Sequence, residues 1–185
     1  MAAVLQCRES VELASLLERC RAFEERAAAA YHRFAAGAGA TPESRALWTR
    51  LAGEEEAHAR AITLALRDLE PTSGWRTTVD GWNETIEDID RRLAQAEALP
   101  ADASLDQRLA AALDIEASEL EALRRVVVAA STRSLPTDLS DEHASRLATE
   151  ATALSNDPDV GLRAAVVRAR ALLTSWDAAH ERRDG

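Results

Sequence analysis

Glycine and proline are scarce in this sequence, with 7 glycines and 5 prolines among 185 residues. Both residues interrupt helices, and the chain is instead rich in alanine, leucine, glutamate and arginine. Val126–Val128 is a run of β-branched valines, but it lies inside a longer helical pattern. The composition therefore predicts an almost entirely helical, all-α protein. The length predicts a single domain over residues 1–185.

Lysine is absent, and all 22 basic residues are arginines against 32 acidic residues. The net charge of −10 argues against nucleic acids and anionic membranes as partners, because both would repel the chain. No apolar run reaches the roughly 18 residues needed to span a bilayer. Residues 1–6 are too short for a signal peptide, so we expect a cytoplasmic protein.

Cysteine is rare as well, since Cys7 and Cys20 are the only thiols. The sequence has no Cys-x-x-Cys, which excludes a four-cysteine zinc or iron site and a thioredoxin-type redox pair. On one helix the two thiols would point about 220° apart. We therefore expect two reduced and partly buried cysteines.

Helix-start and helix-stop residues divide the chain into two helical hairpins, a crossover and a last helix. Gly37–Gly39 separates the first two helices, and Thr41 followed by Pro42 is a clear helix start. Ser10, Ser104, Ser140 and Asp157–Pro158 mark the other starts. The predicted units are a first hairpin (10–70), a crossover with a short helix (71–103), a second hairpin (104–155) and a C-terminal helix (156–182).

Glutamates lie on the apolar stripes of all four hairpin helices: Glu24, Glu55, Glu116 and Glu150. A carboxylate in a bundle core is costly unless it is protonated, paired or bound to a metal. Within each hairpin the two glutamates are 31 and 34 residues apart, which places each near the middle of its arm. The pattern predicts a four-helix bundle in which the four carboxylates converge.

His58 follows Glu55 by three residues, so both side chains lie on one helix face and can reach one ion. Leucine, alanine and isoleucine surround the pair, which predicts that it faces the core. Glu54 and Glu56 are each turned about 100° away and are expected on a solvated face. Carboxylate with imidazole suits iron or manganese, and zinc also binds such donors.

Glu119 lies one turn after Glu116 and has two interpretations. It could supply a further oxygen to the site, or it could form a salt bridge with an outward arginine. A helical spacing alone leaves both open.

The segment Glu24-Glu25-Arg26-Ala27 with Tyr31, and the segment Leu51–Ala59, resemble the ferritin-like superfamily, in particular rubrerythrin-type di-iron carboxylate domains. The resemblance covers roughly residues 10–155. It implies a ferritin-like four-helix bundle, here with a helical crossover insertion and an extra C-terminal helix. It also implies iron as cofactor, with the ligands Glu24, Glu55, His58, Glu116, Glu119 and Glu150.

The sequence departs from that family pattern at its fourth helix, where residue 153 is alanine instead of histidine. The rubredoxin-like four-cysteine module is also absent. We therefore expect an asymmetric site in which only the His58 side has a nitrogen ligand. His143 lies about 10 Å of helix rise before Glu150 and does not replace the missing group.

Two functions follow as expectations. The first is a rubrerythrin-like metal-binding protein with non-haem iron redox activity, either Fe(II) oxidation or the handling of peroxide or dioxygen. The alternative is a metal-free or single-metal helical structural or interaction module with a degenerate di-iron site. The sequence identifies no electron donor, and a homodimer is left open.

Overall fold

The computed structural model describes residues 9–68, 76–79, 82–129, 141–155 and 157–181, and side chains within 14–67, 83–118, 145–155 and 157–171. These residues form six helices and two short strands. In chain order the elements are β1 (Glu9–Glu12), α1 (Leu13–Ala36), α2 (Pro42–Asp68), β2 (Arg76–Val79), α3 (Trp82–Glu97), α4 (Leu105–Ala129), α5 (Asp141–Leu154) and α6 (Val160–Glu181). The prediction of a helical fold is confirmed. None of the described helices is both long enough and apolar enough to cross a bilayer.

The structure contains one short strand pair that the sequence analysis did not predict. β1 and β2 run antiparallel, with Glu9 opposite Val79 and Glu12 opposite Arg76. Thr77, Thr78 and Val79 are β-branched and favour an extended backbone. Residues 9–12 pair with this distant segment, so the first helix begins at Leu13 instead of directly after Ser10.

Side-chain caps fix the starts of α4 and α6. Ser104 Oγ accepts from the backbone N–H of Gln107 at 3.2 Å, and Gln107 Oε1 accepts from the N–H of Ser104 at 2.9 Å. This reciprocal pair satisfies two N–H groups that the helix itself leaves without partners. In α6, Asp159 Oδ1 accepts from the N–H of Leu162 at 2.8 Å, so the helix begins two residues after the predicted Asp157–Pro158 start.

The helices predicted as insertion and appendage belong to the main core. α1 packs along α2, while α4 packs against α6 and α3 more extensively than against α5. Side chains of α3 and α6 are accordingly among the least exposed in the protein. The largest fully buried side chains are Trp48, Tyr31, Leu16, Leu51, Ile89, Leu93, Leu109, Leu113, Ile115, Leu147, Leu162 and Glu55. Glu55 is the one charged residue among them.

Arginine–carboxylate pairs connect neighbouring helices on the surface. Arg26 on α1 donates to Asp90 at 2.6 Å and to Glu97 at 2.8 Å, both on α3. Asp114 on α4 accepts from Arg168 on α6 at 2.7 Å. Because several donors and acceptors share these contacts, they hold helix positions better than isolated surface pairs do.

Arg108 is buried and neutralises the end of the first helix. Its guanidinium donates to the carbonyls of Phe34 at 3.3 Å, Ala38 at 3.4 Å and Ala101 at 2.8 Å. A cation at a helix C-terminus is favourable because the last carbonyls carry partial negative charge. Gly37 leaves room for this group, since a Cβ there would lie 2.5 Å from Arg108 Nη1.

Candidate metal centre

Three ligand-type side chains gather between α1 and α2: Glu24, Glu55 and His58. One potential ligand atom from each lies within 4.8 Å of the other two. Glu55 is 0 % exposed and Glu24 is 6 % exposed, so both carboxylates are inside the protein. In the part of the chain that the structure describes, this is the one group of three histidine, cysteine or acidic residues so arranged.

The distances from His58 are those of a hydrogen-bonded cluster and also suit donors that share one ion. His58 Nδ1 forms a hydrogen bond of 2.9 Å with Glu55 Oε2 and lies 3.5 Å from Glu24 Oε2. Donor atoms bound to one metal at about 2.0–2.2 Å are about 3–3.5 Å apart in tetrahedral or octahedral geometry. Glu24 Oε2 is also fully buried without a hydrogen-bond partner among the described residues. A buried oxygen of this kind is available to a cation.

Glu116 on α4 lies near the cluster but is not one of the three residues whose ligand atoms lie within 4.8 Å of one another. It is buried, and its Oε1 accepts a hydrogen bond of 2.8 Å from the hydroxyl of Tyr31. Its charge interacts with Glu24, Glu55 and His58. The four side chains therefore come from three helices that the sequence assigned to a common bundle.

Burial raises the pKa of Glu24 well above its ordinary value, and the carboxyl groups of Glu55 and Glu116 raise it further. Burial likewise raises the pKa of Glu116 to about 8, with repulsion from Glu55 adding to the effect. The hydrogen bond from Tyr31 and the neighbouring His58 lower the pKa of Glu116. Glu24 and Glu116 therefore hold protons near neutral pH unless a metal cation takes the place of those protons.

Glu150 lies elsewhere than predicted. Its carboxylate accepts a hydrogen bond of 2.5 Å from Arg50 on α2, and its side chain is 35 % exposed. The helix is rotated so that other residues fill its inward face, namely Leu147, Ala148 and Ala151. Glu150 is left at the edge of α5, where an arginine is in reach. Ala153 is exposed, so it lies away from the cluster too.

The two glutamates beside Glu55 differ from each other. Glu56 is exposed, as predicted, and lies 2.9 Å from His32. Glu54 is only 24 % exposed, because it accepts from Arg50 at 3.2 Å and from Arg146 on α5 at 2.7 Å. The prediction of a solvated Glu54 is thus corrected to an ion pair at the α2–α5 contact.

Several predicted residues fall outside the residues whose side chains the structure describes. They are the proposed oxygen donor Glu119, together with Cys7 and His143. The hydrogen bond between Tyr31 and Glu116 was not predicted from the sequence. The one indication of it in the sequence is that Tyr31 shares a helix face with Glu24.

A groove of about 340 Å³ lies on the outer side of the α1–α2 hairpin. Its lining includes Ala28 and Ala59, which follow Glu24 and Glu55 by one helical turn. The groove therefore lies along the same stretch of the hairpin as the cluster.

Comparison with protein-family models, curated proteins and solved structures finds no match to this chain. The resemblance to rubrerythrin-type domains therefore depends on the residues of the chain itself. Of the six residues which that resemblance marks as ligands, the structure brings Glu24, Glu55 and His58 together, with Glu116 beside them.

Proposed function

We propose that this protein is a metal-binding protein of the ferritin-like, rubrerythrin-like type that holds one divalent cation. Glu24, Glu55 and His58 would be the ligands, and Glu116 would supply a fourth donor. The observation that carries the proposal is the buried cluster whose three potential ligand atoms lie within 4.8 Å of one another.

Electrostatics supports a cation at this position. Three buried carboxyl groups repel one another when ionised, and no arginine pairs with Glu24 or Glu116 among the described ion pairs. A divalent ion would offset two of the negative charges and replace the protons that the raised pKa values imply. Oxygen donors with one imidazole suit iron or manganese, and zinc is also compatible.

The finer part of the proposal is non-haem iron redox activity, either Fe(II) oxidation or the handling of peroxide or dioxygen. A ferrous ion, when bound, would supply the electron for reducing either oxidant. The protein side chains would bind the ion and would accept or donate protons. Glu116, with a pKa of about 8, is suited to exchange a proton near neutral pH. His58, at 15 % side-chain exposure, is the cluster residue nearest to solvent.

The position of Glu150 favours a second candidate. In it the protein is a metal-free or single-metal helical module whose role is structural or is an interaction, and it has no redox activity. With Glu150 bound to Arg50 and Ala153 exposed, the α5 side contributes no described donor to the cluster. Without any metal, the buried acids would remain protonated and the cluster would act as a hydrogen-bonded part of the core.

Calorimetric titration of metal-free protein with Mn²⁺ tests the metal proposal. We expect about one ion per chain, and Glu55→Gln should lower the affinity by about tenfold or more, equivalent to about 1.4 kcal/mol or more. Glu56→Gln is the matched control, because it changes the adjacent exposed carboxylate. If the native protein bound no Mn²⁺, or if both variants bound it equally well, the metal-free module would be the better account.

Stopped-flow oxidation of added Fe(II) tests the redox part separately. The native protein should oxidise Fe(II) with dioxygen or peroxide faster than the Glu55→Ala variant does, because that variant lacks a central ligand. Equal rates in the two proteins would remove the redox function, even if the metal site itself were established.

A further inference from the structure

Helix α6 is apolar on two opposite faces. Its inner face, formed by Leu162, Ala165 and Ala169, is buried against the core. Because a helix turns by about 100° per residue, a second apolar stripe lies on the side away from these residues. We call it the outer face of α6, and it consists of four exposed residues, Val160, Ala164, Val167 and Ala171.

The two valines of the outer face are among the most exposed apolar side chains that the structure describes. Val160 is 74 % exposed and Val167 is 67 % exposed. Among the described residues Leu64, at 59 %, is the one other large apolar side chain of this kind. A single exposed apolar residue is common on proteins, but apolar residues that repeat along one helix face indicate a binding surface.

The spacing of the outer face suits another helix. Its four residues follow one another at intervals of four, three and four, which is the repeat of the contact seam in a coiled coil. The stripe is about 17 Å long, since each helical residue adds about 1.5 Å. Large valines alternate with small alanines, so the side chains of a second helix can pack over the alanines and between the valines.

Only positive charges flank the outer face. Residues 160–171 contain no acidic residue and three arginines, Arg163, Arg168 and Arg170, in a chain whose net charge is −10. On one flank, Asp114 pairs with Arg168 at 2.7 Å. On the other flank, Arg163 donates to a backbone carbonyl and forms no ion pair with a described carboxylate. The charge of Arg163 is therefore available to an acidic group of a partner.

A second copy of α6 would be a poor partner for this surface. Antiparallel pairing with each valine opposite an alanine would bring Arg163 next to Arg170 of the second copy, and parallel pairing would bring Arg163 next to its own counterpart. Either arrangement places like charges together, which opposes association. A helix with acidic residues beside its apolar seam would instead place a carboxylate near Arg163.

We propose that the outer face of α6 is a docking surface for an acidic amphipathic helix of a partner protein. The apolar seam of that helix packs between Val160 and Val167, and its carboxylates pair with Arg163. Because the contact is small, the complex is transient, with a dissociation constant in the micromolar range. α6 contributes none of the three clustered ligands, so the inference does not depend on the proposed metal-binding function.

Two synthetic peptides provide the test. Both are three-heptad helices with leucine and alanine at the seam, and they differ only in the flanking residues, which are glutamate in one and lysine in the other. Fluorescence anisotropy should show that the native protein binds the glutamate peptide about tenfold more tightly than the lysine peptide. The net charge of −10 by itself would produce the opposite order, so this result requires a local positive surface.

Val167→Glu introduces an acid into the seam and should weaken binding of the glutamate peptide by about tenfold or more. Leu64→Glu is the matched control, because it introduces the same acid at another exposed apolar side chain, on α2, and should bind the peptide as the native protein does. Arg163→Glu should shift the preference towards the lysine peptide. Circular dichroism checks that all three variants are folded.

A native protein that does not bind the glutamate peptide would overturn the inference, and so would equal binding by the native protein, Val167→Glu and Leu64→Glu. Two further measurements address other occupants. A native dimer in multi-angle light scattering that Val167→Glu abolishes would make the outer face an interface between copies. Co-sedimentation with phosphatidylglycerol vesicles that Val167→Glu abolishes would make it a membrane-binding face. Either result would overturn docking of an acidic helix.

Discussion

At the scale of single residues, the buried carboxyl groups determine how the metal-free protein responds to pH. The pKa of Glu116 is raised from 4.5 to about 8, and that of Glu24 is also raised. The folded protein therefore holds these protons more tightly than the unfolded chain does. The stabilisation is complete below about pH 4.5 and is lost as the pH rises through about 8, because the unfolded chain releases its protons first.

Glu116→Gln should reduce this pH dependence. In the metal-free native protein we expect the melting temperature to fall between pH 5 and pH 8.5. The variant should show a smaller fall and be the more stable of the two at pH 8.5, because its amide never ionises. Thermal unfolding followed by circular dichroism measures both, with Glu56→Gln as the exposed control. A native melting temperature that does not change with pH would contradict the raised pKa values.

Ala153→His concerns the residue that departs from the family pattern. The sequence pattern suggests that a histidine at position 153 would complete a second metal position. The structure predicts no gain, because Ala153 is exposed and Glu150 is bound to Arg50. The measurement is metal content per chain after loading with iron. A second tightly bound ion in the variant would mean that α5 rotates when metal is present.

At the scale of helices, two glycines of the first hairpin should respond oppositely to alanine. A Cβ at Gly53 meets nothing within 4 Å, so Gly53→Ala should stabilise α2 by about 0.5–1 kcal/mol. A Cβ at Gly37 meets the buried guanidinium of Arg108 at 2.5 Å, so Gly37→Ala should destabilise the protein by about 1–3 kcal/mol.

Chemical denaturation measures the free energy of unfolding of both variants. The two glycines serve as controls for each other, because the substitution is identical and only the surroundings differ. Stabilisation by both substitutions would mean that Arg108 moves aside without losing its carbonyl partners.

Arg26 is one of the α1 residues that connect this helix to α3. Arg26→Ala removes the hydrogen bonds to Asp90 and Glu97 and should lower the free energy of unfolding by about 1 kcal/mol, the upper end for exposed pairs. Among the described residues Arg21 pairs with Glu25 on its own helix, so Arg21→Ala should cost about 0.5 kcal/mol or less. Equal losses in urea denaturation would mean that the interhelical pairs add nothing to the helix contact.

At the scale of the whole molecule, the cluster connects α1 with α2, and Glu116 of α4 lies near it. A cation bound there should stabilise the folded protein as a unit. With Mn²⁺ at about 100 times its dissociation constant at pH 8, we expect a gain of about 2.7 kcal/mol. At the same Mn²⁺ concentration the gain should be smaller at pH 5, because protons compete with the metal and raise its dissociation constant.

Thermal unfolding with and without Mn²⁺ at the two pH values measures this gain. Glu55→Gln is the control, since it removes a ligand and should show little stabilisation. A rise in melting temperature of the same size in that variant would indicate binding elsewhere on this acidic protein.

Most of the helix boundaries could be predicted from the sequence, because helix starts and stops depend on neighbouring residues. Thr41–Pro42 and Ser104 mark their helices to within a residue, since the groups that cap a helix are adjacent to it. The proximity of Glu55 and His58 could also be predicted from neighbouring residues, because side chains three residues apart lie on the same face of a helix.

The sequence by itself therefore determined the helical class and the inward direction of Glu24, Glu55 and Glu116, all of which follow from helical periodicity. Only the tertiary structure decided which helices share the core, the pairing of β1 with β2, and the rotation of α5 that gives Glu150 to Arg50. These features depend on groups far apart in the chain. Periodicity shows that a residue lies near an apolar stripe, but the neighbouring helix decides whether its carboxylate meets an arginine or another acid.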